Sequence, residues 1–92
     1  MSDNMKTELN ELYETILKLK NVKDCENFFA DLCTYKEINS MAQRLKAARL
    51  LMDGDTYEQV IAKTDISSAT LSRVSKCVKL GKGYKSVLKE DK

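Results

Sequence analysis

Apolar residues recur along the chain at the spacing of amphipathic helices. From Met5 they continue at steps of three, four and one to Ile16, which predicts a first helix that ends near Lys20. Asp24 can cap a second helix. Its apolar residues recur at i, i+3, i+4, i+7 and i+8: Cys25, Phe28, Phe29, Leu32 and Cys33. The 92 residues include no proline that would interrupt a helix, so we expect an all-α fold.

A third and longer helix follows. Thr34 and Glu37 have the spacing of a capping box at its start, and Gly54 suits the turn after its end. Its apolar positions predict the centre of the core: Ile38, Met41, Ala42, Leu45, Ala48 and Met52. Residues 47–52 are apolar on more than one face, which would leave apolar surface exposed on a lone chain. The pattern therefore predicts a homodimer.

Two short helices joined by a tight turn come next. Thr56 and Gln59 form a second capping box for a helix over 57–63, and Ser67 caps the helix that follows. The second of these helices turns three apolar residues inward: Leu71, Val74 and Val78. This arrangement is typical of a helix-turn-helix, the motif that places its second helix in the DNA major groove. A short last helix over 84–89 packs Tyr84, Val87 and Leu88 on the core.

The outward face of the helix-turn-helix carries small, polar and basic side chains. Small residues let the backbone enter the major groove, hydroxyls reach base edges or phosphates, and arginine can bind guanine with two hydrogen bonds. The predicted DNA-binding residues are Thr56, Gln59, Ser67, Ser68, Ala69, Thr70, Ser72, Arg73, Lys76 and Lys79. The sequence therefore predicts double-stranded DNA as the partner.

The net charge of +2 is the sum of two unlike regions. Residues 1–65 carry nine cations and twelve anions, whereas residues 66–92 carry seven cations and only two anions, Glu90 and Asp91. An acidic body with a basic C-terminal third fits a protein that meets an anionic partner through one face.

Metal binding, catalysis and membrane insertion find no support in the sequence. The chain has no histidine, and its three cysteines lack the spacing of a zinc site. We expect Cys77 to be a reduced thiol near the inward face of its helix, with no histidine to activate it. The run Gly81-Lys82-Gly83 lacks the spacing and flanking strand of a phosphate-binding loop. With no leader and no long apolar run, we expect a cytoplasmic protein.

The string over residues 60–74, VIAKTDISSATLSRV, resembles the helix-turn-helix consensus of bacterial transcription regulators. Asp65 stands where that consensus prefers glycine, and aspartate tolerates the left-handed conformation better than most residues. Over about residues 26–88 the chain resembles the Trp repressor family, and most closely its YerC/YecD branch. The resemblance implies a single domain, 1–92, with six helices per subunit. It assigns 5–55 to an interlocked homodimer, 56–80 to the helix-turn-helix and 84–89 to the last helix.

The resemblance also implies a candidate ligand pocket. Thr34, Arg44 and Arg73 match the residues that hold the amino acid in the Trp repressor. However, Val74 replaces the glycine that makes room for the indole, Cys77 replaces a serine, and the turn is one residue shorter. A valine side chain should collide with an indole, so we expect no tryptophan binding and leave another small-molecule corepressor open.

Two other functions compete with sequence-specific regulation. One is a helical interaction module that keeps the repressor scaffold but docks a protein, which Val74 and the missing turn glycine favour. The other is a nonspecific nucleoid binder, although such proteins are usually basic throughout. The leading prediction is a homodimeric regulator, most simply a repressor, that reads a pseudo-palindromic operator and has no enzymatic activity.

Overall fold

A computed structural model describes residues 3–89 of the chain, and this range is all-helical with no strand. Six helices follow one another: α1 (Asp3–Ile16), α2 (Val22–Leu32), α3 (Tyr35–Met52), α4 (Tyr57–Thr64), α5 (Ser68–Leu80) and α6 (Gly83–Leu88). The predicted fold class and number of helices are confirmed. The chain divides into two compact units, residues 1–35 and 36–92.

The N-terminal unit contains α1 and α2, and two of their predicted ends are wrong. Helix α1 ends at Ile16 rather than near Lys20, because the chain leaves it through tighter bonds such as Lys18 N–H to Thr15 O (3.0 Å). Helix α2 is capped by Asn21, not Asp24: Asn21 Oδ1 accepts from Asp24 N–H at 2.8 Å. The Asp24 carboxylate instead reaches back to Lys20 N–H at 3.0 Å, as an acidic side chain in the first turn can.

Apolar side chains of this unit stay accessible in the single chain. No residue from 4 to 35 is buried, and Leu17 is 82% exposed. The rings of Phe28 and Phe29 meet edge to face with centroids 5.4 Å apart, and both are half-buried. Cys25 and Cys33 are free thiols that are also half-buried, whereas Leu32 is exposed.

Helix α3 opens the C-terminal unit and has its predicted ends. It begins one residue after Thr34 and ends two residues before Gly54, whose φ of 102° only glycine adopts readily. Gly54 N–H donates to Leu51 O at 3.1 Å and Asp55 N–H to Leu50 O at 3.0 Å. These two bonds form a Schellman turn, which satisfies carbonyl groups that the helix end would leave unpaired.

The core lies between the second half of α3 and the helices that follow it. Its buried apolar side chains are Ala47, Ala48, Val60, Ile66, Leu71, Val74 and Leu88. Leu71 and Val74 point inward as predicted, and Val78 packs against them half-buried. Met41, Ala42 and Leu45 are exposed, so α3 provides the core only with its C-terminal half, and the wider prediction is wrong for the single chain.

Helix α6 packs on α5 and the core mainly through Leu88. Leu88 is buried and Tyr84 half-buried, but Val87 is 69% exposed and its predicted packing is wrong. The turn between the helices needs Gly81, because a Cβ there would lie 2.6 Å from the carbonyl oxygen of Cys77. The approach of the chain at this point leaves no room for a side chain.

Leu71→Ala should lower the free energy of unfolding by about 2–5 kcal/mol, because it removes a fully buried side chain and leaves a cavity. Leu80→Ala, in the same helix but at a side chain that is 75% exposed, should change it by less than about 0.5 kcal/mol. Urea unfolding followed by circular dichroism measures both. Equal losses in the two variants would contradict the assignment of Leu71 to the core.

Candidate nucleic-acid interface

Helices α4 and α5 form the predicted helix-turn-helix, with residues 65–67 between them. The start of α4 is held by a complete capping box. Thr56 Oγ1 accepts from Gln59 N–H at 3.2 Å, and Gln59 Oε1 accepts from Thr56 N–H at 2.8 Å. Both side chains are exposed, and they use only their oxygen atoms as acceptors in this box, so the Thr56 hydroxyl and the Gln59 amide can still donate hydrogen bonds.

The turn is built around a residue in the left-handed conformation. Asp65 has φ 60° and ψ 20°, which confirms the conformation expected where the consensus prefers glycine. Its N–H closes the end of α4 on Ile61 O at 2.9 Å. The Thr64 hydroxyl donates to Val60 O at 2.7 Å and accepts from Ile66 N–H at 3.2 Å. Ile66 is also buried, so the turn is held both by these hydrogen bonds and by the packing of Ile66 in the core.

The start of α5 is capped by Ser67 as predicted. Ser67 Oγ accepts from Thr70 N–H at 3.1 Å and donates its proton to Thr70 Oγ1 at 2.9 Å. Thr70 is half-buried, whereas the other residues predicted to face DNA are exposed: Thr56, Gln59, Ser67, Ser68, Ala69, Ser72, Arg73, Lys76 and Lys79. The structure therefore brings nine of the ten to the surface of one motif and turns Thr70 partly inward.

The basic residues of this surface are electrostatically uncompensated within their own region. The sequence has no carboxylate between Asp65 and Glu90. The ion pairs that the structure describes join Lys23 to Glu26 and Lys63 to Asp55. Neither of them involves Arg73, Lys76 or Lys79. Unpaired cations on an exposed helix attract the phosphates of nucleic acids.

A cleft of about 470 Å³ lies between α3, α5 and α6. Its lining contains two guanidinium groups and no carboxylate: Arg44, Ala69, Thr70, Arg73, Val74, Cys77 and Tyr84. The predicted ligand residues Arg44 and Arg73 thus share one cavity, while Thr34 is not among the lining residues. Val74 is only 1% exposed, so its side chain fills space at the base of the cleft.

The sequence did not predict the contacts of two residues in this region. Tyr84 lines the cleft, although its spacing indicated only packing of the last helix. Gln43 donates from Nε2 to the carbonyl oxygen of Thr64 at 2.9 Å and so joins α3 to the end of α4. Its one sequence signal is a position four residues before Ala47, on the same face of α3.

Neither a membrane-spanning helix nor a cluster of metal ligands occurs in the described part of the chain. None of its helices combines the length and apolar character that crossing a bilayer requires. Across residues 3–89 no three histidine, cysteine, aspartate or glutamate side chains gather as a metal site would need.

Comparison with known proteins identifies relatives along nearly the whole chain. The family profile described as Trp repressor protein matches residues 7–92. The uncharacterised protein YerC of Bacillus subtilis is 49% identical over 74 residues, which cover 80% of this chain and 71% of YerC.

Two crystal structures share the fold. A TrpR-like protein from Eubacterium eligens superposes with a TM-score of 0.87 at 36% identity, over 91% of this chain and 88% of that one. A candidate Trp repressor from Staphylococcus aureus superposes with a TM-score of 0.88, also at 36% identity, over 99% and 95% of the two chains. The all-helical fold is therefore shared with proteins of this type.

Asp65→Gly should raise the free energy of unfolding by about 0.5–1 kcal/mol, because glycine adopts the left-handed conformation without the strain of a Cβ. Ala62→Gly, at an exposed position of α4 with helical geometry, should lower it by about 1 kcal/mol. Thermal unfolding measures the two shifts. A loss of stability in Asp65→Gly would show that the aspartate side chain itself holds the turn.

Proposed function

The chain belongs to the Trp repressor family, and on this basis we propose that it is a homodimeric, sequence-specific DNA-binding regulator of transcription, acting as a repressor in the cytoplasm. The observation that carries the proposal is the surface of α5. Its N-terminal half is small and polar, and its basic residues form no ion pair with a carboxylate of residues 3–89. Ser67 caps the start of the helix, directly after the turn. These are the properties that a recognition helix needs.

The roles of the exposed residues follow from their position along α5. Ser68, Ala69 and Ser72 are small enough to let the start of the helix approach base edges. Arg73, one turn further, can bind a guanine with two hydrogen bonds. Phosphate contacts fall to residues on either side of the groove: Thr56, Gln59, Lys76 and Lys79. The free N–H groups at the start of α4 and α5 add favourable partial charge toward phosphates.

The homodimer is supported by the N-terminal unit. Helices α1 and α2 are amphipathic, yet from residue 4 to residue 35 no side chain is buried in the single chain. Several large apolar side chains of this unit are exposed, and such surface is usually buried against another protein surface. A chain of this size also buries too little surface by itself to be very stable, so burial of these side chains in a dimer would stabilise it. A second copy that covers them would place two recognition helices about 34 Å apart, one turn of DNA, so the operator should be a pseudo-palindrome.

Leu17→Glu should weaken the dimer at least about tenfold, because the charge would have to be desolvated in the interface although it is harmless on a single chain. Leu80→Glu is the control, since this leucine is similarly exposed but lies at the end of α5. Sedimentation equilibrium gives both dimer dissociation constants. If Leu17→Glu and Leu80→Glu dimerise equally well, the N-terminal unit does not form the interface.

Arg73→Ala should cost about 1–3 kcal/mol in affinity for the preferred duplex and relax the sequence preference at one position, because a base contact is lost. Lys76→Ala should weaken all duplexes alike and reduce the slope of log affinity against log salt by about one, because it removes a phosphate contact. Selection from random duplexes, followed by gel-shift titration at several salt concentrations, measures both changes.

Binding without any preferred duplex at any salt concentration would contradict this function. The competing interaction module would then be tested by capture from a nuclease-treated lysate, where a stoichiometric protein partner would support it. A DNA reader recovers no such partner once its nucleic acid has been removed.

A small-molecule ligand is a second part of the proposal, favoured by the cleft. Arg44 and Arg73 line it without a carboxylate, so the ligand should carry an anionic group. Tryptophan is disfavoured because Val74 occupies the base of the cleft. Duplex selection performed with and without tryptophan should therefore return the same sequence at the same affinity.

A further inference from the structure

Helix α3 presents one continuous face to the helix-turn-helix. Ala47 and Ala48 are completely buried in the core that Val60 and Leu71 also form. Gln43 lies one turn before Ala47 on the same helix, at the i, i+4 spacing that places two side chains on one face. The hydrophobic effect that buries the two alanines is itself non-directional, so the orientation of the helices depends on side-chain packing and on polar contacts between them.

Gln43 supplies a directional contact at this interface. Its Nε2 donates to the carbonyl oxygen of Thr64 at 2.9 Å, and the bond is partly buried. Thr64 is the last residue of α4, and carbonyl groups in the last turn of a helix have no partner within it. The same residue holds Val60 O and Ile66 N–H through its hydroxyl. One side chain from α3 is therefore bonded to the residue that immediately precedes Asp65 and the turn.

Electrostatics favour such a contact. Arg44, the next residue of α3, lines the same cleft as Arg73 of α5, and the residues that line it include no carboxylate. Two like charges in a concave site repel each other and favour separation of their helices. The hydrogen bond of Gln43 acts against that separation at the end of α4, and only residues 65–67 lie between this end and the start of α5.

We infer that Gln43 is a positioning residue for DNA reading, which fixes the orientation of α5 on α3 through its bond to Thr64 and does not touch DNA itself. The inference rests on the proposed function for its consequence in binding. Residues that read a ligand must be held within about 0.5 Å of the productive geometry, and base-edge contacts are more sensitive to orientation than phosphate contacts. Loss of the Gln43 hydrogen bond therefore reduces sequence preference more than overall affinity.

Gln43→Met tests this role, because methionine has a similar length and no N–H donor. We expect the ratio of affinity for the selected duplex to affinity for a random duplex to fall about three- to tenfold, as loss of one hydrogen bond implies. Affinity for the random duplex and the salt slope should stay unchanged. Asp55→Asn is the control: it removes the ion pair between Asp55 and Lys63 (2.8 Å) without affecting the hydrogen bond of Gln43, and should leave the ratio unchanged.

Equal losses on both duplexes, or an unchanged ratio, would overturn the inference. A second measurement does not depend on DNA: residual dipolar couplings of the free protein report the angles between helices. In Gln43→Met the angle between α3 and α5 should change while that between α4 and α5 stays the same. If wild-type protein prefers no duplex, the proposed function fails, and the couplings alone decide the role of Gln43. An unchanged angle between α3 and α5 would then reject it. Should the methionine variant not fold, Gln43→Glu, which has the same shape, takes its place in both measurements.

Discussion

The packing of α4 and α5 on the C-terminal half of α3 is the contact on which the rest of the structure depends. Ala47 and Ala48 are fully buried there, against a core that includes Val60 and Leu71. The small side chains of α3 and the larger ones of α4 and α5 form one buried cluster that excludes water. Because this one core carries the helix-turn-helix, every residue that could face DNA is positioned by it. Because the apolar side of α5 is buried in the core, its polar and basic side faces outward.

The charged residues are distributed unevenly, both around α5 and along the chain. The core-facing side of α5 is apolar, and its other side has cations with no carboxylate in the sequence from residue 66 to residue 89. A net charge of +2 conceals this arrangement, because the acidic residues lie almost entirely before residue 66. The basic residues after Asp65 can therefore attract phosphate, whereas residues 1–65 carry three more anions than cations and do not. This asymmetry favours contact with an anionic partner through one face.

Local signals predicted the local structure well. Capping boxes, the glycine after α3 and the serine before α5 identified helix ends, because each supplies hydrogen bonds within a few residues. The prediction failed where two local solutions compete: at α2, Asn21 caps the helix and Asp24 occupies the first turn. It also failed for Val87, which has the right period but is exposed in the single chain. Periodicity indicates which face is apolar and not what covers it.

By itself, the sequence determined the six helices, the helix-turn-helix, its exposed polar and basic face, and the family to which the chain belongs. These depend on spacing and on hydrogen bonds between near neighbours. Only the tertiary structure decided that Thr70 turns partly inward, that Tyr84 joins the cleft, and that Gln43 bonds to Thr64 across 21 positions. Such contacts form between residues distant along the chain, and they exist only once apolar packing has brought α3 and the helix-turn-helix together.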